Sequence, residues 1–386
     1  MEGVSVSRVR VSTTQGATFV ELFFDLVFVY AVTQLTSLVV HDLSWPGVGR
    51  AALLFWLVWW AWTQFTWTLN LADTEHVLVR VPALVATAVA FFMAQSVPDA
   101  FGVAGAWFAV SYVAVRLIGI AVQAWVIAGD QEGSFSSWAS WSMIGIILVL
   151  AGGLAGQEVR VWLWLAAFAS DLLAAGLAGR GSWVIEPGHF AERHGLIVII
   201  ALGESLIAAG VASARVDRDV TFAFTAGGAV VATCALWWTY FGTLHSRLEQ
   251  RLAEQTALAV GRFARDVFSF WHAIVVAGVI SIAVAFEEAI AHPADSLTSG
   301  ASLALTGGVA LFVGGLAAAA MRSGERDAAW PRVVVAVTAL AATPLIPSMT
   351  AGTALALLAA LIISMDLIDW RTSSPRRTPP SRSPRA

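Results

Sequence analysis

Runs of roughly 18 to 25 mainly apolar residues recur from residue 17 to residue 370, and each is long enough to cross the ~30 Å hydrocarbon core of a bilayer. No water in that core can satisfy an open backbone N–H or C=O, so a crossing segment of this length must be an α-helix. Only 12% of the chain is charged and 58% is hydrophobic, whereas soluble domains carry about 25% charge. The fold class that follows is an all-α, polytopic transmembrane helix bundle surrounded by the lipid bilayer. Breaks at charged residues, Pro and Gly divide the runs into about twelve helices. They are predicted over 17–40, 51–71, 80–97, 103–128, 137–155, 159–178, 190–212, 220–243, 266–290, 300–320, 331–347 and 350–370. The first 16 residues are polar and lack the apolar region of a cleaved signal peptide, so the first run is expected to stay as a span.

Every basic side chain is an arginine, and the arginines orient the bundle. With the N-terminus in the cytoplasm, Arg8, Arg10, Arg80, Arg180, Arg193, Arg247, Arg251, Arg262, Arg265, Arg322, Arg326, Arg332 and five tail arginines fall on the cytoplasmic side. Only Arg50, Arg160, Arg215 and Arg218 fall on the other, while Arg116 lies within a span. That 17-to-4 excess predicts cytoplasmic N- and C-termini. The absence of Lys removes Schiff-base chemistry, including a Lys-linked retinal. The single Cys234 excludes an intrachain disulfide and a thiolate metal cluster. No zincin, Walker-type, nucleophile-elbow or Cys/His zinc pattern occurs. The expectation is therefore no enzyme, no metal site, no cofactor and no nucleic-acid partner. The end of the chain, RTSSPRRTPPSRSPRA, is Pro-, Ser- and Arg-rich and reads as a disordered basic cytoplasmic tail.

Two halves of six helices can be laid on one another. FVELFFDLVFVYAVTQL (19–35) resembles FAERHGLIVIIALGESL (190–206), with Phe19 on Phe190, Glu21 on Glu192 and Leu35 on Leu206. LVWWAWTQF in the second helix answers ALWWTYFGT in the eighth, and FASDLL around Asp171 answers ISMDLI around Asp366, in the same order. The division expected is a cytoplasmic segment 1–16, a first six-helix repeat 17–178, a second 190–370 and a tail 371–386. An even number of helices gives parallel repeats, related by a pseudo-two-fold axis along the membrane normal with a pathway between them.

Charged groups inside spans cost at least a few kcal/mol each and so usually face protein or water. Glu21 and Asp25 lie one turn apart on one face of the first helix, in its inner half. The matching segment HFAERHG gathers His189, Glu192, Arg193 and His194 at the inner end of the seventh helix. Arg193 and Arg80 are the expected ion-pair partners of Glu21 and Asp25. This set reads either as a structural network pinning the halves together or as a protonatable gate or coupling site. Glu204 is placed deeper, near the midplane, with Arg116 and Asp171 at similar depth. Those three are the candidate substrate- or ion-binding residues, because midplane acids commonly mark ion or proton paths. His272 reads as a hydrogen-bonded core histidine.

Both stretches, ELFFDLVFVYAVTQL and HFAERHGLIVIIALGES, resemble the signatures of the bacterial low-temperature-requirement A (LtrA) family over roughly residues 12 to 370. The resemblance implies a multipass protein of the bacterial inner membrane named for a cold-growth phenotype. It singles out Glu21, Asp25, His189, Glu192, Arg193, Gly195 and Glu204. The stretch from Glu21 to Thr33 also resembles the Phe-Ser-Asp signature of a six-plus-six-helix potassium-channel family. Phe24 stands here in place of the Ser, and Leu196 where a second Asp would fall. The leading functional expectation is a secondary transporter, ion- or proton-coupled, for an unknown small ion or solute. An ion channel and a non-transporting membrane sensor or scaffold linked to low-temperature growth are the alternatives. A homo-oligomer remains an option.

Overall fold

The computed structural model of the chain describes residues 16–127, 131–178, 181 and 183–373. The expected N-terminal segment, apart from Gly16, and the tail beyond residue 373 lie outside the described residues, as do Arg8, Arg10 and Arg180.

The described residues form twelve long helices and no β-strand. These are α1 (Phe19–His41), α2 (Trp45–Leu69), α3 (Val77–Gln95), α4 (Gly105–Val126), α5 (Glu132–Leu154) and α6 (Gln157–Ala178). There follow α7 (Pro187–Ala212), α8 (Val220–Phe241), α9 (Val260–Ala291), α10 (Ser299–Arg322), α11 (Arg326–Ala342) and α12 (Ala351–Ser373). A short helix, Leu244–Ala253, links α8 to α9 and buries Leu244, Leu248 and Leu252 on one stripe. Below, the near face is the end of the bundle where α1 begins, and the far face is the opposite end.

Eleven of the twelve are long and apolar enough to cross a membrane. The exception, α2, is rich in Trp, carries Thr63, Gln64, Thr66 and Thr68, and buries most of its length within the bundle, against α1, α4, α6, α7 and α9. Phe92 on α3, Ile147 on α5, Trp162 on α6 and Val337 on α11 face outward, as lipid contact requires. This is a multipass membrane protein.

Helix starts follow local chemistry. Glu21 Oε2 accepts from both the backbone N–H and the hydroxyl of Thr18, at 2.9 Å each, closing the first turn of α1. Ser44 caps α2 ahead of Pro46, so α2 starts six residues before the sequence reading placed it. Helix α9 also begins six residues early, at Val260 rather than 266. Its apolar run is interrupted by Arg265 and Asp266, but the helix continues through them as a π-helical turn, Arg265–Phe270.

Neighbour pairs recur between the halves. In the first, α1 packs on α2 and α3, α3 on α4, α4 on α5, α5 on α6 and α2 on α6. In the second, α7 packs on α8 and α9, α9 on α10, α10 on α11, α11 on α12 and α8 on α12. The halves meet where α1 and α2 lie against α7 and α9. Helices α9 and α10 approach so closely that a Cβ on Gly278 would stand 2.6 Å from the Phe312 nitrogen and 2.7 Å from the Gly308 oxygen.

Candidate functional site

The near-face end of the seam between α1 and α7 holds a buried ion network. Glu21 and Asp25 are fully buried and Arg193 is 1% exposed. Arg193 donates through one terminal nitrogen to Glu21 at 2.9 Å and through the other to Asp25 at 2.5 Å. The i, i+4 spacing of the two acids on α1 is what lets one guanidinium reach both. Trp62 of α2 donates its indole N–H to the same Asp25 oxygen at 2.8 Å. His189 Nε2 lies 3.1 Å from Glu21, and its Nδ1 lies 3.3 Å from the backbone oxygen of Asn70. Both ring nitrogens thus face oxygen acceptors, and a doubly protonated ring can donate to both.

The network is braced from outside. Asn70, at the end of α2, accepts from the Glu186 N–H at 2.8 Å and donates to the Glu186 oxygen at 3.0 Å, clamping α2 to the start of α7. Thr74 donates to Thr18 at 2.9 Å. Sequence reasoning joined Glu21, Asp25, His189 and Arg193, and the structure brings these four together. It does not bring in Arg80, which pairs with Glu75 and reaches the Thr74 oxygen. Glu75, in the connection just before α3, is the nearer acid to Arg80 in the first turn of that helix. Glu192 is exposed and accepts from the Ala17 N–H at 2.9 Å, away from the network.

His194 is fully buried but belongs to an adjoining aromatic cluster. Its ring stands edge-on to Trp62, with centroids 5.1 Å apart, and 5.3 Å from the ring of His272. Its Nδ1 bonds the Phe190 oxygen at 2.8 Å. His272 is a hydrogen-bonded core histidine: Nδ1 meets the Val267 oxygen at 2.9 Å and Nε2 meets the Tyr240 hydroxyl at 2.7 Å. Val267 lies in the π-helical turn, where the usual i→i−4 ladder is broken and a carbonyl can be spared for a side chain.

The three residues expected to share a central site fall into two sets. Arg116 of α4 and Asp171 of α6 face each other at 3.5 Å, both essentially fully buried. Tyr112 bonds Arg116 at 2.5 Å, and Gln64 Nε2 donates to the Arg116 backbone oxygen at 2.8 Å. Glu204 accepts instead from Thr33 of α1 at 2.6 Å, on the α1–α7 seam. It lies about 25 Å along α7, beyond the middle of that helix, so it sits toward the far face rather than at the midplane. Buried Phe28, Val29 and Val32 on α1, with Val198 and Ala201 on α7, separate it from the Asp25 level. The seam therefore carries two polar levels with an apolar layer between them.

Sequence reasoning missed Trp62, Thr18 and Tyr112 as partners. Trp62 had a weak signal: it lies next to the WW pair matched between halves, but nothing in a tryptophan-rich run shows which indole N–H turns inward. In the second half, Asp366 of α12 accepts from Thr239 of α8 at 2.9 Å, and Asp369 pairs with Arg332 of α11 at 2.5 Å. Among the described residues no group of three or more His, Cys, Asp or Glu is arranged to hold a metal ion.

The chain matches the profile of the bacterial low temperature requirement A protein (LtrA) over residues 16–366. The chain belongs to the LtrA family. It is also 31% identical over 317 residues to the uncharacterized protein RA0937 of Rhizobium meliloti (strain 1021), an overlap covering 78% of this chain and 76% of that protein. No solved structure matches. The matched region of this LtrA protein holds the whole ion network and both arms of the seam.

Proposed function

We propose that this LtrA protein is a secondary transporter of the bacterial cytoplasmic membrane, ion- or proton-coupled, with both termini cytoplasmic. The two halves act as parallel six-helix repeats that move against one another along the α1–α7 seam. The observation that carries this reading is the Glu21–Arg193–Asp25 network with His189, buried across that seam. Two carboxylates share one guanidinium there, so an arriving cation or proton changes a finely balanced set of pairings. That is what a coupling or gating site needs. Thr33–Glu204 forms the second polar level, toward the far face. Closing one level while opening the other is alternating access. The Arg116–Asp171 pair, within the first half, is the candidate ion- or solute-binding centre.

The test is flux in proteoliposomes under imposed K⁺, Na⁺ and H⁺ gradients, comparing wild type with Asp25→Asn and Glu204→Gln. Saturable flux that the folded variants lose supports the reading. Large unitary currents would replace it with an ion channel whose constriction is the apolar layer at Phe28 and Val29. Variants that lose only abundance, with no flux in wild type, would leave the network structural and favour a sensor or scaffold.

A further inference from the structure

A narrow cleft lies in the near-face half of the bundle, between the first half and α9. Trp60 and Trp67 of α2, Trp138 of α5 and Trp183 wall it, with Arg265 of α9 beside it. Space for the centre of a water-sized sphere amounts to about 50 Å³. That admits a few waters and is too small for an organic substrate. At 1.5 Å per residue, Thr63 lies about 9 Å in from the end of α2. Arg265 is held by Asp266 at 2.5 Å and by the Ala175 oxygen at 3.0 Å, which keeps its long side chain from swinging across the cleft. The π-helical turn that begins at Arg265 also sets Ser269 on the wall, where it accepts from the Trp67 indole at 3.0 Å.

The inner end of the cleft is polar and incompletely paired. Thr63 and Gln64 line it, and each is 3% exposed. Among the described residues, Thr63 Oγ1 and Gln64 Oε1 have no hydrogen-bond partner. Buried polar atoms are nearly always satisfied, by protein or by water. Gln64 leads onward, since its Nε2 holds the Arg116 backbone oxygen. The Nε and one terminal nitrogen of Arg116 also lack an acceptor among the described residues, beside Asp171 at 3.5 Å. Ala175, on the cleft wall, is one turn along α6 from Asp171.

We propose that this cleft is a one-sided aqueous vestibule, open to the near face, that brings water or a small inorganic ion to the Arg116–Asp171 pair. It deepens the transport reading and rests on it for its purpose: the species handled at this centre is water-sized, and in this conformation it enters from the near face only. Gln64 Oε1 and Thr63 Oγ1 receive it at the inner end, and the indole walls exclude larger solutes.

The test uses silver ion, a small membrane-impermeant thiol reagent, on the full chain in sealed vesicles of both orientations. Cys234 is exposed and is first replaced by Ser. Thr63→Cys and Gln123→Cys, a second wall position, are exposed to Ag⁺ from one side, and the thiols left free are then counted with a maleimide after denaturation. Thr256→Cys and Ser296→Cys, both exposed, report which face is which. Ala201→Cys, buried in the apolar seam layer, reports a dry thiol. The vestibule requires both cleft cysteines to react at least roughly tenfold faster from the near face than from the far face, while the thiol of the Ala201→Cys variant stays protected. Equal reaction from both faces would make the cleft a through-pore and overturn the proposal. Reaction from neither face, with the face controls reacting, would make the cleft dry and also overturn it. Because the assay reads hydration and not flux, the vestibule can hold where transport fails, and the reverse.

Discussion

Replacing Arg193 by Gln tests whether the seam network is dry and how its charge is shared. Removing the cation strands two carboxylates that have no exposed surface. Breaking a buried ion pair by deleting one partner costs about 3–5 kcal/mol. The structure also says where that cost falls. Without Arg193, Glu21 still has the Thr18 N–H and hydroxyl and the His189 ring. Asp25 keeps only the Trp62 indole, and its second oxygen has no hydrogen-bond partner among the described residues even with Arg193 present. Adding Asp25→Asn to Arg193→Gln should therefore restore more stability, about 2 kcal/mol, than adding Glu21→Gln. The assay is reversible unfolding in mixed micelles by SDS titration, followed by tryptophan fluorescence, on the wild type, the single variant and both double variants. An Arg193→Gln loss below about 1 kcal/mol would mean the charges are hydrated, as at a protein surface. Greater rescue by Glu21→Gln would refute the assignment of the strain to Asp25.

Arg160→Gln should lower the thermal midpoint, by about 3 kcal/mol or more of stability, because Arg160 donates to five backbone oxygens, of Ala100, Gly102, Gly152, Gly153 and Ala155, and so ties the α3–α4 connection to the α5–α6 turn. Gly278→Ala should cost about 1–3 kcal/mol through forced separation of α9 and α10, read in the same thermal assay, whereas Gly314→Ala, with open space at its Cβ, should be near neutral. Tyr240→Phe removes the hydroxyl partner of His272 Nε2 and should cost about 1–2 kcal/mol, with a changed ¹⁵N signal for that ring in a histidine-labelled sample. Thr33→Val should leave folding within about 1 kcal/mol of wild type but lower flux, since it removes the hydroxyl that donates to Glu204 at the far-face level, whereas Glu204→Gln keeps an oxygen to accept that bond and tests the charge alone.

The helices were legible because a bilayer leaves few choices: apolar length, together with breaks at charged residues, Pro and Gly, locates them, and the observed ends differ mostly by a few residues. The two six-residue differences have local causes. A Ser-Trp-Pro start sits ahead of the apolar stretch of α2, and a π-turn carries α9 through charged residues that look like a break. The Glu21–Asp25–Arg193 core was legible for a geometric reason. Two acids at i, i+4 on one helix face demand a cation at the same depth, and the start of the seventh helix supplies one. Arg80 met the depth criterion equally well in sequence, and only tertiary placement shows that Glu75 takes it. The meeting of Glu204 with Arg116 and Asp171 was inferred from depth alone. Depth says nothing about azimuth, and α7 turns Glu204 toward Thr33 while Arg116 and Asp171 stay within the first half.

The seam also bears on how two copies of one ancestral unit can face each other, under the repeat reading proposed above. A pseudo-two-fold axis between α1 and α7 sets matched positions near one another. Equal charges at matched, dry positions would repel with no water to screen them. The alignment from Phe19 on Phe190 puts Glu21 on Glu192, Leu22 on Arg193 and Asp25 on Leu196. The structure resolves the conflict by asymmetry: Glu192 turns outward to the Ala17 N–H, and the guanidinium comes from the position matched to an apolar residue. Each half alone would leave its charges unpaired in the membrane, two acids on one side and a lone arginine on the other. The two halves are therefore complementary rather than equivalent at this level, and neither is expected to insert stably without the other. Co-expression of residues 1–182 with residues 183–386 as separate chains should recover the assembled protein. Expression of either half alone should yield rapid degradation, which Arg193→Leu should relieve in the second half and Glu21→Gln with Asp25→Asn in the first.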